Sequence, residues 1–409
     1  MTTAIKLFSA ALLFNVANAA QIPSQDNGLR AIALRPAINA SWQHQVRDTV
    51  RVTLPLDQDM DFSAQRRSAV NESRGYWQTI SGKQLKQGID LPITAADAVL
   101  QISPMNGNNA AALAAENLSL NAQRIDQRGD LTISKTDAGA TQNEFHFAAG
   151  SVQLKLKTIS TPQRITLQSN AVASDTEQYV VQVLEAQSPY ALRVTQASDT
   201  VLNGQALQAD GRVLSPGNDM QITQAQAELI APDGRRWSLP LSRSGAELTL
   251  TQTMEYAPSD QPGLWQIEWR VNAQQNGVIV QRTLRSAVQY GNATAQWRQR
   301  IKTRTHNDQI HVVVPVEAIS AGRYELRAIA AKSGATVTPL ALVSSAQWLE
   351  PGLQQLTLMI DKAVLRAAGI NGEFSLVDAR LYDQSRMLLL QQQAQLMRLT
   401  MNSTRRTTR

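Results

Sequence analysis

The chain has 409 residues, of which 43% are hydrophobic, 18% charged and 5% aromatic, with no cysteine and a formal charge of +6. The missing cysteine excludes thiolate catalysis, cysteine-ligated zinc, iron–sulfur clusters and disulfide stapling, and the ordinary apolar fraction excludes wholesale disorder. Lys6 and the three tail arginines carry four of the six surplus charges, leaving residues 20–404 at +2, so the basic pI does not mark a nucleic-acid binder.

In residues 1–20, Lys6 supplies a positive start, residues 7–17 an apolar stretch, and Ala17-Asn18-Ala19 a small-residue cleavage signal. That is the layout of a secretory signal peptide, and the mature chain is expected to begin at Ala20 or Gln21. The stretch is shorter than the roughly 20 residues needed to cross a bilayer. No cysteine follows it for lipid anchoring, and no later run is apolar for long enough to span a membrane. The expected location is periplasmic or secreted, with no transmembrane segment after cleavage.

Beyond the signal, period-2 alternation dominates and predicts half-buried strands. Val50, Val52, Leu54 and Leu56 alternate with polar partners, as do Val152, Leu154 and Leu156. Asp57, Asp59 and Asp61 follow the first run. Three carboxylates on one strand face repel unless a cation sits among them, which suits calcium. The helical calcium loop fails at Phe62, where Gly is required, and at Ser68, where the bidentate Glu belongs. Calcium is therefore the one cofactor admitted, and a solvent-facing strand end or loop is the plainer alternative. Arg74, Tyr76 and Trp77 lie around Gly75 in an expected loop, and an exposed Trp ring there offers a binding surface. Short helical turns are predicted over residues 82–87, ended by Gly88, and over residues 109–117.

A second region begins near Gln196. Residues 227–232 and 235–241 flank Asp233-Gly234, which predicts a type I′ hairpin with positive φ at both central residues. After Pro262-Gly263, the side chains of Trp265, Ile267, Trp269 and Val271 point to one face, the spacing of a core strand. Asn276-Gly277 closes a hairpin with residues 278–290. A third region begins near Gln296. Arg298, Arg300, Lys302 and Arg304 alternate beside Trp297, which reads as a solvated strand face, with an anionic-ligand patch as the alternative. His306, Asp308 and His311 are the densest set of metal-ligand types; residues five apart on one strand face opposite sides, so a hairpin turn at Asn307-Asp308 is preferred to a zinc site. Ile310, Val312, Val314 and Val316 alternate, and residues 361–368 predict a helical turn closed by Gly369.

The stretch from Pro262 to Val271, with Trp265 at the aromatic position, resembles the proline-glycine entry into a core strand of bacterial immunoglobulin-like modules. Residues 351–382, with a strand, a turn, Gly369-Ile370-Asn371-Gly372 and Phe374, resemble a second pattern of exported sandwich modules. Together with Gly75-Tyr76-Trp77 and residues 91–104, the mature chain is similar to an uncharacterised family of proteobacterial exported proteins, a domain of unknown function. The resemblance implies an N-terminal β domain followed by two immunoglobulin-like sandwiches, and no activity.

Zinc-protease, α/β-hydrolase, P-loop and dinucleotide motifs are all absent. The expected architecture is all-β: a signal peptide at 1–20, an N-terminal sandwich-type β domain at 21–195, immunoglobulin-like sandwiches at 196–294 and 295–400, and a basic tail at 401–409. The expected function is that of an exported, non-enzymatic binding or structural protein meeting protein or polysaccharide of the cell envelope, with no nucleic-acid partner. The rivals are a carbohydrate-binding accessory protein, which predicts a row of exposed aromatics, and a hydrolase with its site in the N-terminal domain, which predicts convergent carboxylates or a His with an acidic neighbour.

Overall fold

Alternating sequence becomes strand almost throughout the computed structural model, which describes residues 33–37, 46–57, 68–105, 113–135, 150–157, 162–217, 220–332 and 337–401. The signal segment, Asp59, Asp61, residues 109–112 and residues 402–409 of the basic tail lie outside these. The chain divides into two units, residues 67–290 and residues 1–66 with 291–409.

Residues 67–290 hold two β-sandwiches, each closed by its own apolar core. In the first, one sheet runs β3 (Gly75–Ser81), β11 (Gln178–Leu184), β5 (Val99–Pro104), β9 (Val152–Leu156), β8 (Leu131–Lys135). The facing sheet runs β4 (Ile89–Ile93), β10 (Gln163–Ser169), β6 (Leu118–Leu120), β7 (Gln123–Arg124). Leu91, Leu100, Ile102, Leu154, Leu167 and Val181 meet between them. The predicted short helix is present as α1 (Gly82–Gln87), capped by Ser81 and closed at Gly88 with φ 92°, a backbone region open to glycine.

The second sandwich pairs β17 (Leu241–Ser244), β18 (Glu247–Thr253), β14 (Ala206–Leu214), β12 (Ala191–Gln196), β2 (Ala69–Ser73) with β13 (Thr200–Leu202), β20 (Val278–Gly291), β19 (Trp265–Gln275), β15 (Gln221–Ile230), β16 (Arg236–Leu239). Trp265, Ile267, Trp269 and Val271 are buried, as their spacing predicts. Trp265 stacks on Trp237 at 5.5 Å and meets Tyr290 edge-on at 4.8 Å. Asn276 and Gly277 both take positive φ, at 49° and 81°, and set Gln275 opposite Val278. The turn at Asp233-Gly234 differs from expectation. Only Gly234 has positive φ, and its N–H donates to the Ala231 carbonyl. Pro232 holds negative φ at the first turn position, which selects a type I turn followed by a left-handed glycine.

In the other unit, one sheet runs β1 (Val50–Pro55), β25 (Thr338–Leu349), β24 (Gly322–Lys332), β27 (Glu373–Asp383), β28 (Leu388–Thr400). Its companion centres on β23 (Gln309–Ala318), flanked by β21 (Ala295–Trp297) and β22 (Lys302–His306) on one side and β26 (Gly352–Asp361) on the other. Ile310, Val312, Val314 and Val316 fill the core. Asp361 caps α2 (Lys362–Ala367) through the Ala363 N–H.

Two strands depart from the expected boundaries. The run Val50–Pro55, read as part of a domain spanning 21–195, pairs with β25 in the C-terminal sheet. It is also largely exposed, with Val50 and Leu54 at 46% and 50%, rather than half-buried. Likewise β2 joins β12 in the second sandwich, so the first sandwich is built from residues 75–184. Alternation identifies a strand but says nothing of which sheet edge receives it.

Candidate functional site

The Arg74–Tyr76–Trp77 candidate lies where the two sandwiches of residues 67–290 meet. It is a strand start, not the expected loop. Strand alternation sends Tyr76 into the first core, 2% exposed, with its hydroxyl donating to the Pro92 carbonyl at 3.2 Å. Trp77 faces the other way and is half-buried. Its backbone N–H donates to Thr283 Oγ1 at 3.1 Å, and the Arg285 guanidinium stands 5.2 Å from its ring, a cation–π contact. Arg74 donates to the Ser188 carbonyl at 3.1 Å and pairs with Glu72 at 2.5 Å.

Sequence reasoning missed the centre of this joint, a buried Glu185–Arg282 pair at 2.9 Å with side chains 0% and 1% exposed. Glu185 Oε1 accepts the N–H groups of Thr94 and Ala95, and Oε2 accepts the Thr94 hydroxyl at 2.8 Å. Arg282 donates to Ser188 Oγ at 2.7 Å, Thr94 Oγ1 at 3.0 Å and the Tyr190 carbonyl. Burial, opposed by the Glu185 charge, lowers the Arg282 pKa. Burial and Glu185 push the Tyr76 hydroxyl well above its ordinary value, which keeps it neutral. One signal was available: Arg282 sits between Val280 and Leu284 in the core phase of its strand, where a lone arginine demands a buried partner.

Beside the joint, Glu268 is 1% exposed and gathers Arg285 at 2.6 Å, Arg236 at 3.2 Å and Arg270. Burial alone works to raise its pKa, but the three guanidinium groups hold it below the usual carboxylate value. Each of these buried carboxylates is thus paired with guanidinium groups.

Asp57 is exposed; Asp59 and Asp61 lie outside the described residues. Among the described residues no set of three or more His, Asp or Glu is placed to hold a metal. Nor is any Phe, Trp or Tyr exposed among the described residues. The row of exposed rings that sugar stacking calls for is not found among them. No helix of the described residues is long and apolar enough to cross a membrane.

The basic run beside Trp297 splits. Trp297 is buried, and Arg298 pairs with Glu317. Lys302, Arg304 and His306 are exposed on β22, with Arg304 opposite His311 and Lys302 opposite Val313. Asn307 and Asp308 form the expected turn, with φ of 44° and 61°, and Asp308 is taken by Arg366 at 2.6 Å.

The N-terminal domain of the DUF4785 family, a domain of unknown function, matches residues 41–185, and the family's C-terminal domain matches residues 294–400. No curated protein matches the sequence. The chain is similar to a crystal structure of a DUF4785 family protein from Legionella pneumophila, at 20% identity and a TM-score of 0.72, covering 90% of this chain and 98% of that one. This shows a shared fold. Salmonella α-2-macroglobulin reacted with methylamine matches at 8% identity and TM-score 0.21, covering 92% of this chain and 24% of that one. Escherichia coli α-2-macroglobulin activated by porcine elastase matches at 11% and 0.17, covering 82% and 34%. Neither of these two weaker likenesses carries an argument. With both of its terminal domains matched, the chain belongs to the DUF4785 family of unknown function.

Proposed function

We propose that this protein acts outside the cytoplasm as a non-enzymatic binding or structural protein of the bacterial cell envelope. The observation that carries this reading is the full use of the buried charge at the joint. Both oxygens of Glu185 and every nitrogen of the Arg282 guanidinium are occupied by protein groups. A carboxylate so buried and paired is out of a substrate's reach, and what it does is fix two sandwiches to each other. Rigid β-sandwiches present loops, edges and outer faces to partners, here protein or polysaccharide of the envelope. The signal segment supports export, and calcium on the Asp57–Asp59–Asp61 run stays within the proposal as a stiffening ion.

The test is fractionation of the native host, sequencing of the N-terminus, and incubation of the purified mature protein with envelope glycans. The expected result is an envelope fraction, a start at Ala20 or Gln21, and no cleavage. Retention of Met1 in the cytoplasm, or glycan cleavage that disappears in Glu185→Gln, contradicts the proposal.

A further inference from the structure

The outer face of the β22–β23–β26 sheet gathers positive charge without matching acid. Core-phase residues of β23 point inward, so the opposite phase, with His311, faces out. Across the sheet His311 lies between Arg304 and Met359. The His306 ring stands 6.4 Å from that of His311, edge to face. Arg51 approaches from β1, whose Thr53 hydroxyl donates to the Met359 carbonyl at 2.7 Å. The nearest acids are committed: Asp308 to Arg366 and Asp361 to the cap of α2.

A second observation is independent of the charge. Both ring nitrogens of His311 are shielded from solvent and neither has a hydrogen-bond partner. Such groups in native proteins normally find one, from protein, water or ligand. A metal ion is disfavoured because the surrounding charges are cationic and, among the described residues, no third ligand of the usual kind is grouped there.

We infer that this face binds a tetrahedral oxyanion of the phosphate or sulfate class, held by Arg304 and His311 with His306 and Arg51 at its margin. Guanidinium and imidazole N–H groups are strong donors to such oxygens. The flanking Arg304, His306 and Arg51 side chains are exposed. Exposed side chains reorient within picoseconds to nanoseconds, so an anion can enter without moving backbone. Burial, then the charges of Arg304, His306 and Arg51, lower the His311 pKa. From β26 the facing side chain is the uncharged Met359, and the turn adds the Asp308–Arg366 pair. A bound anion opposes the cationic field and raises that pKa. The inference deepens the binding reading by naming a ligand class and rests on it.

The sequence has four histidines, so the full chain labelled with 13C and 15N only in histidine gives a sparse spectrum. His306→Gln and His311→Gln assign the two relevant signals. The labelled protein is titrated with inorganic phosphate at constant ionic strength, and separately with vesicles of phosphatidylglycerol. The expected result is a saturable shift at His306 and His311, a raised His311 pKa, and about tenfold weaker binding in Arg304→Gln, the loss expected for one charge-assisted contact. Arg243→Gln, on the other unit, binds as before. Vesicle binding that depends on Arg304 assigns the anion to a lipid headgroup; phosphate binding alone assigns it to a free or glycan-borne phosphate. No saturable shift with either probe, equal affinity in Arg304→Gln, or tighter binding of zinc than of phosphate by His306 and His311 overturns the inference. That failure leaves export and the lack of cleavage standing, since those are read from host fractionation and from incubation with envelope glycans.

Discussion

Removing Arg282 leaves the Glu185 carboxylate, 0% exposed, facing three hydroxyl or amide donors but no cation. Breaking one side of a buried pair costs about 3–5 kcal/mol, because the remaining charge is desolvated without compensation. For a unit of this size each kcal/mol shifts Tm by roughly 2–4 °C. Arg282→Met, which keeps an unbranched apolar stem, should therefore lower the Tm of the transition reporting residues 67–290 by about 6–20 °C. Glu185→Leu removes the other charge. The double variant should lose much less than the two singles summed, because nothing charged is left unpaired. Thermal unfolding followed by circular dichroism, run as a double-mutant cycle, reads this. A single-variant cost under about 1 kcal/mol, or strict additivity in the cycle, refutes the claim that this pair locks the joint.

Four further outcomes are expected. Trp77→Ala removes the half-buried ring under Arg285, keeps the backbone N–H that bonds Thr283, and should cost about 2–3 kcal/mol, below the value for a fully buried Trp; a change within about 0.5 kcal/mol would place the Trp77 ring outside the joint. Gly277→Val forces a β-branched residue to φ 81° with nothing within 4 Å to clash, so the cost of about 1–3 kcal/mol is backbone strain alone, and Gly277→Asn should recover most of it. For Glu268 the folded pKa lies below its ordinary 4.5, so its stabilisation is complete above pH 4.5 and is lost as pH falls through the lower folded value; Tm should drop on acidification below that point and less steeply in Glu268→Gln. Thr53→Pro disrupts β1 and removes the hydroxyl that bonds the Met359 carbonyl. Hydrogen exchange should quicken in Thr338–Leu349 and Gly352–Asp361 and stay unchanged in residues 75–184; the reverse pattern would place β1 with the first sandwich.

Local chemistry was well written in the sequence. Trp265, Ile267, Trp269 and Val271 share a phase, and the structure buries all four. Asn276-Gly277 and Asn307-Asp308 carry the residue types that accept positive φ, and both make the expected turns. Gly88 and Gly369 end the two short helices. Where a second local constraint competed, the reading slipped: Pro232 overrode the turn that Asp233-Gly234 favours alone. Long-range pairing was not legible. Nothing in Val50–Pro55 says that its partner lies almost 300 residues later in Ala341–Ala346. The same limit applies to the site. Glu185 and Arg282 meet only because two sandwiches fold against each other. Tyr76 and Trp77 are adjacent in sequence and suggest a shared binding surface, but strand geometry sends them to opposite faces. The basic run held two readings, and register separated them: Arg298 is paired, while Arg304 shares a row with an unpartnered His311.

The central claim is that the protein meets an envelope component through its exposed surface and performs no chemistry on it. The most direct measurement places a photo-crosslinking residue at position 302, next to Arg304 on the outer face, in the full chain expressed in its native host, with position 243 as control. The account predicts an envelope protein or polysaccharide joined at 302 and not at 243. Capture confined to cytoplasmic components, or no capture at 302 together with turnover of envelope glycan by the purified protein, contradicts it.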